Sequence, residues 1–176
     1  AITKYVNELY ATNFKTLYGL DSIGLRYFNV FGRRQDPNGP YSAVIPKFVK
    51  LLISHKSPTI YGDGSYSRDF TYIDNVILMN VLALTTTNEL ALNNIYNTAV
   101  GDRTTLLELV NYLKKYLAKY DDKISKIELV FGPNRNGDIP HSLASIQKAK
   151  KLLNYKPIFD IETGIENSVD WYYKNL

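Results

Sequence analysis

The sequence of 176 residues has no cysteine, one tryptophan and two histidines. Without cysteine, disulfide bonds, thiolate metal sites and a cysteine nucleophile are excluded. His55 and His141 lie far apart in the chain, so no histidine-rich metal site and no HExxH pair is present. No apolar run is long enough to cross a membrane, and the pattern of a signal peptide is missing. We therefore expect a cytoplasmic protein with no membrane partner.

Charge is nearly balanced, because 21 basic and 17 acidic residues leave a net charge of +4. The short lysine clusters at 114–115 and 148–151 lie on predicted helices, where a solvated face explains them, so we expect no nucleic-acid partner.

Tyrosine is abundant, with 15 residues. Its ring and hydroxyl suit sugar and nucleotide surfaces as well as ordinary cores.

Helical and extended patterns alternate along the chain, which predicts an α/β fold. The first helix carries apolar residues at helical spacing and ends at Gly19. The apolar and aromatic run 23–31 predicts one buried strand, and Ser42 is a candidate cap for the next helix. The apolar residues of the first helix are Val6, Tyr10, Phe14 and Leu17. Because this helix has no cap before Ala1, we expect the chain to be a fragment.

Later segments carry local signals for helix starts. Asp74 is a candidate cap for a helix whose inward face would hold Ile77, Val81 and Leu84. Thr105 and Glu108 have the spacing of a capping box. A strand is expected at 127–131, followed by a loop to Pro140 and a helix from Ser145.

Three segments together resemble a known family. They are Ala1-Ile-Thr-Lys-Tyr5, Leu25-Arg-Tyr-Phe-Asn-Val-Phe-Gly-Arg-Arg-Gln-Asp-Pro37 and Ser67-Arg-Asp-Phe-Thr-Tyr-Ile-Asp-Asn75. The chain resembles the C-terminal half of an extended short-chain dehydrogenase/reductase of the NAD-dependent sugar epimerase/dehydratase family. Within it, the chain is most similar to the UDP-N-acetylglucosamine and UDP-glucuronate 4-epimerases.

The resemblance implies the C-terminal part of a doubly wound NAD-binding fold, together with a smaller α/β substrate domain. Residues 1–32 would be the tail of the NAD-binding domain. Residues 33–176 would form mainly the nucleotide-sugar-binding domain, with about 65–100 returning to the NAD-binding domain. The full-length relatives generally form homodimers through a helical bundle, to which the apolar stripe of the first helix would contribute. The alternative is that this stripe covers the missing half of the sheet.

The implied reaction is epimerisation at sugar C4 by transient hydride transfer to NAD, with a UDP-sugar as substrate. The family's catalytic motif is Tyr-x-x-x-Lys, and Lys4 matches its lysine, so the tyrosine would precede Ala1. Lys4 would lower the pKa of that tyrosine and hold the nicotinamide ribose. The sequence also has no glycine-rich dinucleotide-binding turn. We therefore expect this chain to be inactive alone. A 4,6-dehydratase fragment and a stand-alone nucleotide-sugar-binding module are the alternatives.

Three residues at the end of the first predicted strand are implied site residues. Tyr27 would flank the sugar and nicotinamide, Phe28 would lie against the nicotinamide, and Asn29 would donate to the phosphate region of the substrate. The pattern alone favours a structural role for both aromatic residues, in the core of a strand. An asparagine in an apolar strand is harder to explain structurally, because a buried amide needs hydrogen-bond partners.

Arg68 is the strongest single candidate. The resemblance implies that it binds the substrate diphosphate, and a guanidinium suits this role because it matches two phosphate oxygens at once. The structural alternative is an ion pair with Asp69 or Asp74. The resemblance also implies a second candidate pair, with Arg135 at the diphosphate and Asp138 near the nucleotide. For these two, the alternative is a plain polar turn built by Asn136-Gly137.

The uracil ring would lie against an apolar wall, as the resemblance implies. Its residues are Val44, Ile45, Ile60 and Tyr61. Spacing alone equally predicts an ordinary amphipathic helix start for the first two of them. His141 has no second ligand at a useful spacing, so we expect a structural or exposed role for it.

Overall fold

A computed structural model describes residues 2–38 and 43–176, so the predicted cap Ser42 lies outside the described residues. Within these ranges the chain forms helices and strands in alternation, which confirms the α/β class. The helices are α1 Ile2–Tyr18, α2 Val44–Ile53, α3 Ile73–Thr85, α4 Leu106–Leu117, α5 Gln147–Leu153 and α6 Ile161–Asn175. The strands are β1 Ile23–Tyr27, β2 Val30–Phe31, β3 Thr59–Tyr61, β4 Ser67–Arg68, β5 Thr71–Tyr72, β6 Asn94–Thr98, β7 Thr104–Thr105 and β8 Val130–Gly132.

The strands form four pairs. Three of them are parallel, namely β1 with β6, β2 with β5 and β3 with β8. The fourth pair, β4 with β7, is antiparallel. Parallel pairing of strands that are distant in sequence requires crossover connections, which the helices supply.

The predicted single strand 23–31 is wrong, because the chain breaks at Phe28 and Asn29. Before the break, β1 runs beside β6, and the Phe28 N–H still donates to the Thr98 carbonyl at 3.1 Å. After it, β2 runs beside β5, and the Asn29 carbonyl accepts from the Thr71 N–H at 3.2 Å. Asn29 has a φ of 35°, and asparagine tolerates such positive values better than most residues. The strand therefore changes partners at Asn29.

Two hydrophobic clusters stabilise the fold. The larger cluster joins α2, α4 and α6 to β2, β3 and β5. The smaller cluster joins α3, β6 and α5, and Leu25 and Phe28 pack against it. Residues from 144 to 155 contribute to the smaller cluster, beside residues 79–99. The domain boundaries expected from the resemblance stay a prediction.

The inward face predicted for α3 is wrong. Ile77, Val81 and Leu84 are 54%, 50% and 85% exposed, whereas α3 buries Asn75, Val76 and Met79. The helix is apolar on more than one side, so its periodicity does not single out one face. The buried amide of Asn75 decides the orientation. It donates to the Phe159 carbonyl at 2.7 Å and accepts from the Ile158 N–H at 2.8 Å.

Local signals at other helix ends give mixed results. The Thr105–Glu108 capping box is present in full, and Gly19 follows the end of α1 with a φ of 68°. The predicted cap Asp74 is wrong, because Tyr72 holds the cap position and Asp74 lies in the first turn.

Two predicted starts are wrong by a few residues. The strand expected from residue 127 is β8, which begins only at Val130, after a 3₁₀ turn at Asp122–Lys126. The helix expected from Ser145 begins at Gln147, because the Ser145 carbonyl accepts from the Asn97 amide at 3.1 Å outside the helix.

We expect Gly164→Ala to lower the free energy of unfolding by about 1–3 kcal/mol, as overpacked core positions do. Gly164 lies on the buried side of α6, and an added Cβ would lie 2.7 Å from Phe31 Cζ and 2.9 Å from Tyr72 Cβ. Urea denaturation measures the change. Asn167→Ala, on the exposed side of the same helix, is the matched control. Equal stability of the two variants would contradict the close packing of α6 against β2 and β5.

Candidate functional site

A cavity of about 350 Å³ lies between the start of α2, strand β3, strand β4 and the loop after β8. It brings together residues from distant parts of the sequence that were predicted to bind substrate. Those on its wall are Asn29, Val44, Ile45, Tyr61, Arg68, Arg135 and Asp138. The cavity therefore places cationic groups and an apolar wall within one hollow.

Arg68 is held in place by three acceptors. Its Nη2 donates to Asp138 Oδ1 at 2.6 Å, and its Nη1 donates to the carbonyls of Ser67 at 2.9 Å and Pro140 at 3.3 Å. The side chain is 20% exposed. The alternative ion pairs with Asp69 or Asp74 are wrong, because Asp69 binds backbone N–H groups and Asp74 pairs with Arg33 at 3.4 Å. The guanidinium is thus preorganised at the cavity wall.

Arg135 lies flat on an aromatic ring, with its Cζ 3.7 Å from the centroid of Tyr61. This stacking leaves the N–H groups at the edge of the guanidinium plane free to meet a ligand, because all five donors lie in that plane. The Asn136-Gly137 turn is also present, with a φ of 79° at Gly137 and a bond from the Asp138 N–H to the Arg135 carbonyl at 3.3 Å. The turn and the cavity wall are therefore both features of the same loop.

Asn29 lies at the position where the strand changes partners, and its side chain lines the cavity. Its Nδ2 donates to the Asp69 carbonyl at 3.1 Å. This bond ties the amide to the residue next to Arg68, so the geometry of both side chains depends on the 67–71 segment.

Asp69 is a buried carboxylate whose importance the sequence interpretation missed. It accepts from the backbone N–H groups of Val100 and Gly101, both at 3.0 Å, and of Ala144 at 3.4 Å. Burial raises the pKa of Asp69 above its ordinary value, and these N–H bonds oppose the rise. The available signal is an acid directly before the Phe-Thr-Tyr segment, which the sequence analysis considers only as a partner for Arg68.

Ile60 does not contribute its side chain to the cavity, contrary to the expected uracil wall. It is fully buried in the larger cluster. Alternate residues of a strand face opposite sides, so Thr59 and Tyr61 face the cavity while Ile60 faces the core.

The His141 side chain forms a hydrogen bond of 2.9 Å between its Nδ1 and Ser67 Oγ, in keeping with a structural role.

Lys4 and Tyr27 line a second groove, of about 580 Å³, between α1 and β1. Lys4 is exposed on α1. Tyr27 is 52% exposed, and its hydroxyl donates to Asn80 Oδ1 at 3.0 Å. Phe28 lines neither hollow and packs against the smaller core cluster. The predicted cofactor residues are therefore separated from the 350 Å³ cavity.

A nicotinamide ribose would need a cationic group beside the carboxyl end of a parallel strand, and the groove offers the ammonium group of Lys4 there. Two lining residues of the groove form an ion pair, in which Arg26 donates two bonds of 2.7 Å to Glu8 and lowers the pKa of that carboxyl. Phe28 does not face this groove, so its side chain adds nothing to that fit.

Residues 2–38 and 43–176 form no helix that combines the length and the hydrophobicity of a membrane span. In the same ranges, no group of three His, Asp or Glu side chains is placed to hold a metal ion.

Several cavity residues were not predicted from the sequence. They are Val30, Phe31, Ala43, Lys47, Phe48, Thr59, Phe70 and Leu106. Six of these eight residues are apolar, and four of them belong to or pack against the larger core cluster, namely Phe31, Phe48, Phe70 and Leu106. Thr59 and Lys47 are polar, and the spacing of three residues between Lys47 and Val44 is the signal that could have found the lysine.

Comparison with protein families and curated proteins identifies relatives across the chain. The profile described as the NAD dependent epimerase/dehydratase family matches residues 1–99. A UDP-glucuronate 4-epimerase of Thermodesulfobacterium geofontis is 33% identical over 177 residues, which cover 100% of this chain and 50% of the relative. The chain spans about half the length of the curated relatives it matches.

Solved structures give the same result. UDP-glucose 4-epimerase of Thermotoga maritima, with UDP-glucose, matches with a TM-score of 0.85 and 35% identity, over 98% of this chain and 52% of that one. UDP-N-acetylglucosamine 4-epimerase of Methanobrevibacter ruminantium, in complex with UDP-N-acetylmuramic acid, matches with a TM-score of 0.81 and 39% identity, over 96% and 51%.

Proposed function

The chain belongs to the NAD dependent epimerase/dehydratase family, and from this membership we propose that it forms the UDP-sugar-binding part of a UDP-sugar 4-epimerase. One observation carries the proposal, namely the cavity in which Arg68, Arg135 and Asn29 meet beside an apolar wall. The names of the relatives support a UDP-sugar ligand.

The two arginines would hold the diphosphate. Arg68 is fixed by Asp138 and by two carbonyls, so little side-chain entropy is lost when a phosphate binds. Arg135 is fixed in its plane by Tyr61. Two guanidinium groups from different segments, each able to bind two oxygens, match the charge of a diphosphate.

The uracil would lie against Val44 and Ile45 at the start of α2, with Tyr61 opposite. Apolar side chains suit the faces of the base, and backbone groups at the helix start suit its polar edge. Asn29 would orient the phosphate region of the ligand from the strand break. Asp138 would keep the loop closed over Arg68.

In the whole enzyme, NAD supplies the hydride acceptor and donor at sugar C4. Lys4 would hold the ribose of that cofactor and lower the pKa of a neighbouring tyrosine. The proposed nucleotide residues and Lys4 line separate hollows, so we assign substrate binding to the 350 Å³ cavity and cofactor contact to the groove. We place catalysis in the whole enzyme, because the chain spans about half the length of its relatives. The exposed stripe of Tyr10, Phe14 and Leu17 supports the proposed homodimer.

Calorimetric titration of the 176-residue chain tests this function. We expect UDP-glucose, UDP-N-acetylglucosamine and UDP to bind at one site, and ADP to bind at least about tenfold more weakly because a purine does not fit the same wall. We expect no conversion at C4 with added NAD. Absence of UDP binding would overturn the proposed cavity. Turnover by this chain alone would overturn the assignment of catalysis to the whole enzyme.

A further inference from the structure

The loop after β8 contains a reactive pair of residues that the proposed function does not use. Asn136 is followed directly by Gly137, and both residues are exposed. Asparagine is among the thermolabile residues of proteins, and a following glycine has no side chain to shield the backbone nitrogen that attacks the amide. The sequence has one other Asn-Gly pair, at 38–39, of which residue 39 lies outside the described residues.

The geometry of the loop leaves the reacting atoms of the 136–137 pair accessible. No atom outside residues 136–138 lies within 4 Å of the position that a Gly137 Cβ would take. Among the described residues, the Gly137 N–H donates to no backbone carbonyl, and one bond of 3.3 Å, from the Asp138 N–H to the Arg135 carbonyl, closes the turn. By contrast, Asn38 Oδ1 accepts from Lys50 at 2.9 Å. The Asn136 amide can therefore approach the nitrogen of the next residue.

We propose that Asn136 is a site of spontaneous deamidation, through which the loop after β8 gains a carboxylate. The Gly137 nitrogen forms a bond to the side-chain carbonyl carbon of Asn136. The bond from that carbon to the amide nitrogen breaks, and ammonia leaves with the proton of the Gly137 N–H. Water then opens the cyclic imide at one of its two carbonyl groups, which gives aspartate or isoaspartate. The balance is one water consumed and one ammonia released.

The new carboxylate would change the charge of the cavity. The charged lining consists of Lys47, Arg68, Arg135 and Asp138, so three cationic groups face one carboxylate. A second carboxylate next to Arg135 offsets part of this excess and competes with an anionic ligand for the guanidinium. Isoaspartate also lengthens the backbone between Arg135 and Asp138, whose ion pair with Arg68 measures 2.6 Å. This consequence for the ligand rests on the proposed function, whereas the reaction itself does not.

Peptide mass spectrometry of the 176-residue chain, aged in mildly alkaline buffer, tests the reaction. We expect the peptide that contains Asn136 to gain the mass difference between an amide and a carboxyl group and to separate into two products. The rate should rise with pH, because the attacking nitrogen must lose its proton. Asn136→Gln should stay unchanged at this position, since its longer side chain would have to form a larger ring. An Asn136 peptide that remains an amide while other asparagines of the chain react would overturn the proposal.

Calorimetric titration with UDP tests the consequence for binding. In Asn136→Asp we expect the affinity for UDP to fall about threefold, as one solvent-screened charge implies. Freshly prepared Asn136→Gln should bind UDP like the unmodified chain, because the side chain of residue 136 does not line the cavity. After ageing, the unmodified chain and the matched control Asn38→Gln should both lose affinity, whereas Asn136→Gln should retain it.

Three other results would contradict these expectations. If Asn136→Asp binds UDP as tightly as the unmodified chain, the inferred effect on the cavity is overturned. If Asn38→Gln prevents the loss of affinity on ageing, the pair at 38–39 is responsible, and the inference is overturned as well. If the fresh unmodified chain binds no UDP, the proposed function fails together with the effect on binding, and mass spectrometry still decides whether Asn136 reacts.

Discussion

Replacing Arg68 by methionine is expected to weaken UDP binding about 100-fold. The guanidinium would donate two charge-assisted hydrogen bonds to the diphosphate, and each such bond contributes about 1.5–3 kcal/mol. Methionine retains the length of the apolar stem but provides no donor. Arg68→Lys should bind with intermediate affinity, because an ammonium group replaces the charge but not the two-pronged geometry. Calorimetry or fluorescence titration with UDP measures both effects.

Two further variants distinguish ligand binding from a structural role of Arg68. Arg33→Met removes an arginine that pairs with Asp74 and does not line the cavity, so UDP affinity should be unchanged. Asp138→Asn breaks the ion pair but keeps the guanidinium, and we expect less than a tenfold loss. If Asp138→Asn loses as much affinity as Arg68→Met, anchoring of the loop explains the effect. Circular dichroism of each variant verifies that the fold is intact.

Replacing Asp69 by alanine is expected to lower the free energy of unfolding by about 3–5 kcal/mol. The side chain is fully buried and accepts from the N–H groups of Val100, Gly101 and Ala144. Each buried donor that is left without an acceptor costs about 1–3 kcal/mol. Asp69→Asn should have a smaller effect, because one acceptor oxygen remains. Urea denaturation followed by circular dichroism measures the change.

Asp122→Ala provides the control for this prediction, because Asp122 is an exposed acid in a short 3₁₀ turn and its substitution should have a much smaller effect. A loss below about 1 kcal/mol in Asp69→Ala would mean that water replaces the carboxylate. Asp69 would then not organise the segments at 69, 100 and 144, and the position of Arg68 would need another explanation.

The parts of the fold that depend on neighbours in sequence were predictable. The Thr105–Glu108 capping box and the end of α1 at Gly19 agree with the structure. These features are decided within a few residues, by side-chain bonds to the nearest backbone groups and by the alternation of apolar positions.

Features that depend on distant partners were not predictable in this way. The strand expected at 23–31 breaks because its second part pairs with β5 instead of β6. The buried side of α3 depends on the bonds between Asn75 and the 158–159 segment. In both cases the local pattern permits several arrangements, and a contact far along the chain selects one of them.

In the candidate site, the available residue types and, through the resemblance, the positions expected to bind follow from the order of the amino acids. Folding adds the ion pair between Arg68 and Asp138, the structural role of Asp69 and the place of Lys47 at the cavity. Hydrogen bonds and ion pairs require approach to about 3 Å. Only folding brings residues 70 positions apart within that distance, as it does for Arg68 and Asp138.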